Sequence, residues 1–158
     1  MSHPDDRYTT NLLLAVLSLD DWALLKPFFT REKLEREKVL LPANQPIDHV
    51  WFPEGGVASV IAHKIDSGPT EVGIFGREEF AGTPLLPGAD TSPHLIFVQV
   101  NGSTGLRVGA SLFLKAMNQS ATLRITLLRY VQTFIIQTAG SAISNAHQRT
   151  EARLARWL

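Results

Sequence analysis

The 158-residue chain contains no cysteine. That absence removes a disulfide framework, a thiolate zinc site and an iron–sulfur cluster held by Cys ligands. Net charge is also absent, because 15 basic residues balance 15 acidic ones. No global field draws in nucleic acid, whereas a self-sufficient DNA binder of this size is usually basic. The five histidines, His3, His49, His63, His94 and His147, include no two at metal-ligand spacing, so no metal and no other cofactor is expected. A G-x-S-x-G nucleophile signature is missing and no pair of acids is singled out, which argues against an enzyme. No apolar run reaches the roughly 18 residues needed to span a bilayer. The start, M-S-H-P-D-D-R, lacks a basic segment followed by an apolar one, so no secretory signal is read and a cytoplasmic protein without membrane contact is expected.

What is present is the composition of a globular domain, 44% hydrophobic and 19% charged, long enough to bury a core. Residues 11–17 and 19–29 read as short helices, with Ser18 or Asp20 as a cap for the second. Residues 31–41 suit a first strand with one wet face. From Pro42 to Val108 the pattern becomes short β-rich runs broken by Pro and Gly. Strands are predicted at 49–52, 57–65, 70–75, 95–100 and 104–108, which implies a sandwich or jelly roll. Asn101-Gly102 between two apolar runs is the sharpest hairpin signal. Helices are predicted again at 111–118 and 120–145, the second with Ser120 as its N-cap.

Three stretches carry more than a fold class: P-I-D-H-V-W-F-P-E-G-G-V (46–57), E-V-G-I-F-G-R-E-E-F-A-G (71–82) and E-A-R-L-A-R-W-L (151–158). In the second, a strand runs into a glycine turn at Gly76, where glycine tolerates positive φ and adjacent backbone N–H groups can cradle a phosphate. With the long apolar helix, this combination resembles the effector domain of the Crp–Fnr family of bacterial transcription regulators. The resemblance spans about Asn11 to Leu158. It implies a mainly β fold with flanking α: a double-stranded β-helix (jelly roll) of cyclic-nucleotide-binding type plus a long C-terminal helix. The boundaries it implies are 1–118 for the jelly roll, 119–146 for the helix and 147–158 for the opening of a linker into a DNA-binding domain.

The resemblance places a candidate ligand pocket at Gly76, Arg77, Glu78, Glu79, Phe80, Ser92, His94 and Thr138. Family members that bind cyclic AMP carry a Glu directly after the F-G for the ribose and an Arg further on for the phosphate, residue types suited to hydroxyls and phosphate. Here Arg77 follows Phe75-Gly76 and the acids come later, as Glu78 and Glu79. Near Ser92 no Arg appears, and His94 cannot fork around a phosphate. With two anchors displaced or absent, tight cyclic AMP binding in the usual way is not expected. A different small effector stays open. Arg77 fits either an acidic ligand or a surface pair with Glu78 or Glu79, the pair being favoured. For Thr138 the favoured reading is a hydroxyl bonded to the preceding helical turn.

Along the long helix Leu128, Val131, Ile135, Thr138 and Ala142 recur in steps of three and four, and Leu127, Phe134 and Ser141 widen that face. A seam this short is no free coiled coil. It packs on its own sandwich or against a second subunit, and the resemblance favours a homodimer. Gly140 either marks a close helix crossing or is a harmless flaw costing about 1 kcal/mol against alanine. The expected function is the effector-sensing and dimerisation domain of a Crp–Fnr-type regulator, binding DNA only through a helix-turn-helix domain absent here. The alternative is a stand-alone ligand-binding or heterodimerising module without DNA binding. A cupin-type barrel enzyme would need an H-x-H pattern that the chain does not have.

Overall fold

The β-rich centre of the chain forms two antiparallel sheets. A computed structural model describes residues 8–64, 68–101 and 104–147. In chain order the strands are β1 (Thr30–Lys33), β2 (Val39–Leu41), β3 (His49–Pro53), β4 (Val57–Lys64), β5 (Gly68–Phe75), β6 (Leu95–Val100) and β7 (Thr104–Gly109). One sheet has the order β1-β7-β3 and the other β2-β6-β4-β5. Helices α1 (Leu12–Ala15) and α2 (Leu19–Leu25) precede the strands; α3 (Ala110–Gln119) and α4 (Ala121–His147) follow them.

Two sequence expectations change here. Residues 31–41 are not one strand: β1 pairs with β7 in the first sheet, while β2 pairs with β6 in the second. Between them the chain turns with Glu37 at φ 69°, and the Glu37 N–H donates to the Val98 carbonyl at 2.8 Å. Leu34 inside this turn is buried, packed where a side chain on Gly105 would stand. The sequence signal was compositional, a charged run followed by the apolar Val39–Leu41, and it does not mark where the chain passes from one sheet to the other. Nor is Asn101-Gly102 a hairpin, since β6 and β7 lie in different sheets. The Asn101 side chain accepts from the Arg36 N–H at 2.6 Å, so Asn101 is fastened to the β1–β2 turn. Gly102 lies outside the described residues.

Period-two alternation builds the core side of the first sheet. Val50 opposes Val108 and Phe52 opposes Leu106, and all four are buried. The Phe52 ring contacts Phe29 at 5.7 Å, stacks on Phe80 at 5.4 Å and meets Phe113 of α3 at 6.3 Å. On the opposite side of β3, Trp51 is covered by the Lys38 ammonium 4.9 Å from its ring and by the Arg107 guanidinium at 5.9 Å. Glu32 pairs with both cations, so a charged cluster seals an apolar ring from water.

Helix α4 is fixed at its start by two devices. The Ser120 hydroxyl accepts from the Leu123 N–H at 3.1 Å, the expected N-cap. Ser120 and Thr122 then donate to the Asp21 carboxylate of α2, Thr122 at 2.9 and 3.0 Å. Burial would raise the Asp21 pKa, but these bonds and those from Ser18 and Leu123 outweigh it and hold it below the ordinary value. From that anchor Leu123 and Leu127 are fully buried, and Tyr130 packs against the same core.

Leu127→Ala should therefore destabilise the fold by about 2–5 kcal/mol through lost contacts and a cavity beneath α4. Chemical denaturation monitored by tryptophan fluorescence checks this; a loss below about 1 kcal/mol would mean that Leu127 is not core.

Candidate functional site

The segment after β5 divides its side chains between two environments. Phe75 closes the strand and is buried. Gly76, Arg77 and Glu78 then line an open cleft of about 380 Å³ with Gly55, Gly56, Val57, Ile74 and Phe75. Arg77 and Glu78 are exposed. Glu79 and Phe80 turn the other way and are buried. Backbone pairing fixes the change of direction: Leu12 N–H donates to the Arg77 carbonyl at 2.7 Å, and Ala81 and Trp51 exchange N–H···O bonds at 2.8 and 2.9 Å.

Gly76 is not the left-handed turn that was expected. It is absent from the positive-φ glycines, whereas Gly82 has φ 143°. A Cβ on Gly76 would stand 3.1 Å from the Glu78 carboxylate and 3.3 Å from the Gly56 carbonyl. Gly76 thus lies close against the β3–β4 turn, where a side chain would crowd the Gly56 carbonyl. The strained glycine is Gly82, ahead of a 3₁₀ turn at Thr83–Leu85, with Val50 2.9 Å from where its Cβ would be. Pro84 two places after Gly82 is the helix-start signal that could have located it.

Glu54 directly precedes the Gly55–Val57 side of the cleft in the chain. Its buried carboxylate receives Arg31 through Nε at 2.9 Å and Nη2 at 3.0 Å, and the Thr104 hydroxyl at 2.6 Å. Burial alone would raise the Glu54 pKa; Arg31, Thr104 and Thr9 outweigh it and keep the group ionised below the usual range. Arg77 forms no ion pair with Glu78 or Glu79 among the described residues, contrary to the surface pair expected: Glu79 is buried and the Glu78 carboxylate lies beside Gly76.

Ser92, His94 and Thr138 do not line this cleft. Ser92 is buried, and its hydroxyl closes a turn with the His94 backbone, both bonds at 3.1 Å. His94 is half-buried beside it, with Nδ1 unpartnered among the described residues. Thr138 is exposed on α4 and donates to the Phe134 carbonyl at 2.8 Å, a bond within its own helix. The predicted pocket residues therefore occupy four places: the cleft, the core beneath α4, the loop before β6 and, for Thr138, the exposed surface of α4.

The core member Glu79 is the most perturbed carboxyl in the site. Burial pushes it up to about 7, Tyr130 of α4 offsets part of this by hydrogen bonding, and the neighbouring Glu78 charge adds to it. Burial and the adjacent Glu79 likewise push the Tyr130 hydroxyl well above its ordinary value. Asn11, which sequence reasoning did not place here, is fully buried and braces the same loop. Its Nδ2 donates to the carbonyls of Pro53 at 2.8 Å and Glu79 at 2.9 Å, while its Oδ1 caps α1.

No protein-family model and no curated protein matches the sequence. Solved structures do match, across most of the chain. The c-di-GMP-responsive global regulator CLP of Xanthomonas campestris superposes with a TM-score of 0.70 at 15% identity, covering 88% of this chain and 70% of that one. The N-terminal domain of a transcriptional regulator from Streptomyces coelicolor A3(2) gives 0.59 at 19% identity, covering 84% and 92%. The sensor domain of the regulator DNR from Pseudomonas aeruginosa gives 0.62 at 12%, covering 81% and 85%. A cyclic nucleotide-binding domain from Methylobacillus flagellatus is similar at 0.60 and 11%, covering 91% and 82%. The chain has the cyclic-nucleotide-binding fold. In that fold the jelly roll is the pair of sheets, and the Gly82 turn and α4 lie at its helical side.

Gly82→Ala should cost about 1–3 kcal/mol more than Gly88→Ala. Both glycines have positive φ, but only Gly82 has a side chain, Val50, in the space a Cβ needs. Urea denaturation of the two variants decides; equal losses would show that Val50 yields freely.

Proposed function

We propose that this chain is the effector-sensing and dimerisation domain of a Crp–Fnr-type transcription regulator, with α4 as the dimer helix. The observation that carries this reading is the division of α4 into two apolar faces. Leu123, Leu127, Tyr130 and Phe134 lie toward the chain's own core, with Tyr130 and Phe134 in ring contact at 6.4 Å. Leu128, Ile135 and Ile136 on other faces are 44%, 56% and 61% exposed. Leu127 and Phe134 therefore do not widen the Leu128–Val131–Ile135–Thr138 seam as the spacing suggested. Val131 is half-buried and Thr138 exposed, while the Ala142 and Ser141 side chains lie outside the described residues, as does the 148–158 segment. A row of large aliphatic side chains in water is the usual mark of a protein contact. Gly140 has nothing within 4 Å of where a Cβ would stand, which leaves its crossing, if it has one, to another chain.

The similar regulator and sensor structures support the sensing role at the level of the fold. The CLP regulator is responsive to c-di-GMP, and for this chain too the favoured effector is something other than cyclic AMP bound in the usual way. Arg77 lines the cleft without Ser92, His94 or Thr138. An effector would act by shifting α4 relative to its dimer mate, and a helix-turn-helix partner domain would carry that movement to DNA.

Light scattering at tens of micromolar should give a dimer mass, and Leu128→Glu/Ile135→Glu should give a folded monomer. A wild-type monomer would end the dimer reading. Isothermal titration with cyclic AMP should show no saturable micromolar binding; a clear isotherm would overturn the account of Arg77 and His94.

A further inference from the structure

We propose that two uncovered faces of this chain cover each other between subunits: the Ile125–Ile136 row of α4 docks on the outer face of the partner subunit's four-stranded sheet, with Arg129 set against Glu71 of the partner subunit. This contact rests on the α4 dimer reading and adds a second surface to it. At about 100° per residue, Ile125 and Ile136 stand on average about 80° round the helix from Leu128 and Ile135. A partner helix seated on the Leu128–Ile135 seam leaves that row at its flank, where coiled coils carry charged side chains. Here the flank is aliphatic. Ile125 is 47% exposed and Ile136 more so, and Arg129 and Gln132, both exposed, lie between them in the same row. Residues 121–140 contain no acid, so the Arg129 cation has no opposite charge on its own helix.

The sheet of β2, β6, β4 and β5 has the complementary surface. Residues paired across antiparallel strands point to the same side. Val98, Ala58 and Phe75 form one such row and are buried in the core. The neighbouring row, Val39–Phe97–Ser59–Ile74, therefore points outward, with Val39 and Ile74 exposed and Phe97 half-buried. Leu95, Ile61 and Glu71 form the next row on that side. An antiparallel sheet with one wet face alternates apolar and polar residues, whereas a sheet covered on both faces reads apolar throughout. This sheet follows the second pattern. The charged residue of the two outer rows is Glu71, whose Oε2 accepts from the fully buried Ser59 hydroxyl at 2.7 Å. That bond holds the carboxylate on the outer face. Neither Glu71 nor Arg129 forms an ion pair among the described residues. Two aliphatic faces that each carry one charge, of opposite sign, are complementary, and two-fold symmetry makes the contact twice. Strand β5 leads into the loop whose Phe80 packs on Tyr130, which ties this edge of the sheet to the helix that forms the seam.

Sedimentation equilibrium of the whole chain tests the contact. Glu71→Lys and Arg129→Glu should each raise the dimer dissociation constant by about tenfold or more, because each sets like charges together. The double variant, with the pair reversed, should recover most of the loss. An unchanged constant in Glu71→Lys, or losses that simply add in the double variant, overturns the proposal. Should Glu71→Lys not fold, Glu71→Gln replaces it, since it keeps an acceptor for Ser59. The Glu71→Gln dimer should then weaken less with added salt than the wild-type dimer, and an equal salt response refutes the contact. Leu128→Glu/Ile135→Glu separates the two readings. If that variant is monomeric while the charge variants dimerise as tightly as wild type, the seam stands and the sheet contact falls. If it still dimerises and the charge reversal restores binding, the sheet contact stands without the seam. A wild-type monomer ends both.

Discussion

The contact of Phe80 with Phe52 on one side and Tyr130 on the other joins the three parts of this molecule. Phe52 is a central residue of β3, Phe80 belongs to the loop after β5, and Tyr130 belongs to α4. Phe113 of α3 touches both phenylalanines. Offset and tilted ring pairs of this kind add to the area they bury and resist sliding. Without them α4 would be held mainly by its first two turns, at Asp21 and Leu123. The loop would then keep its backbone bonds to Leu12 and Trp51 but lose its packing against α4.

Because Phe80 is pinned, the residues before it have only one arrangement. The Ala81–Trp51 backbone bridge and the Leu12–Arg77 bond bracket the loop, so Arg77 and Glu78 stay in water while Glu79 goes under the helix. A carboxyl is an expensive group to place there. Asn11 helps to bear the cost by satisfying the Glu79 and Pro53 carbonyls with one amide, so the short α1 acts as a brace for the loop.

Much of the fold was legible because its periods are local. Short β-rich runs bounded by Pro and Gly predicted β3 and β7, and a hydroxyl at Ser120 followed by an apolar helix predicted the start of α4. Errors arose where two elements meet. Residues 127 and 128, or 134 and 135, are only about 100° apart on a helix, so spacing assigns both to one face. Which of the two faces inward depends on where Phe80 and Phe113 stand. In the same way Asn101-Gly102 is compatible with a hairpin or a crossover, and the choice lies with the sheet that receives β7.

The sequence by itself determined the class of molecule: no thiol chemistry, no metal-ligand spacing, a sandwich or jelly roll of short strands and a long apolar helix. Those conclusions follow from residue types and local periodicity, which survive without coordinates. Only the tertiary structure decided that Gly82 rather than Gly76 is the left-handed glycine, that Arg77 and Glu79 face opposite ways, and that Tyr130 packs on Phe80. Each of these depends on contacts between residues about 30 to 70 positions apart, where steric exclusion by Val50 or desolvation beneath α4 outweighs any preference of the local chain.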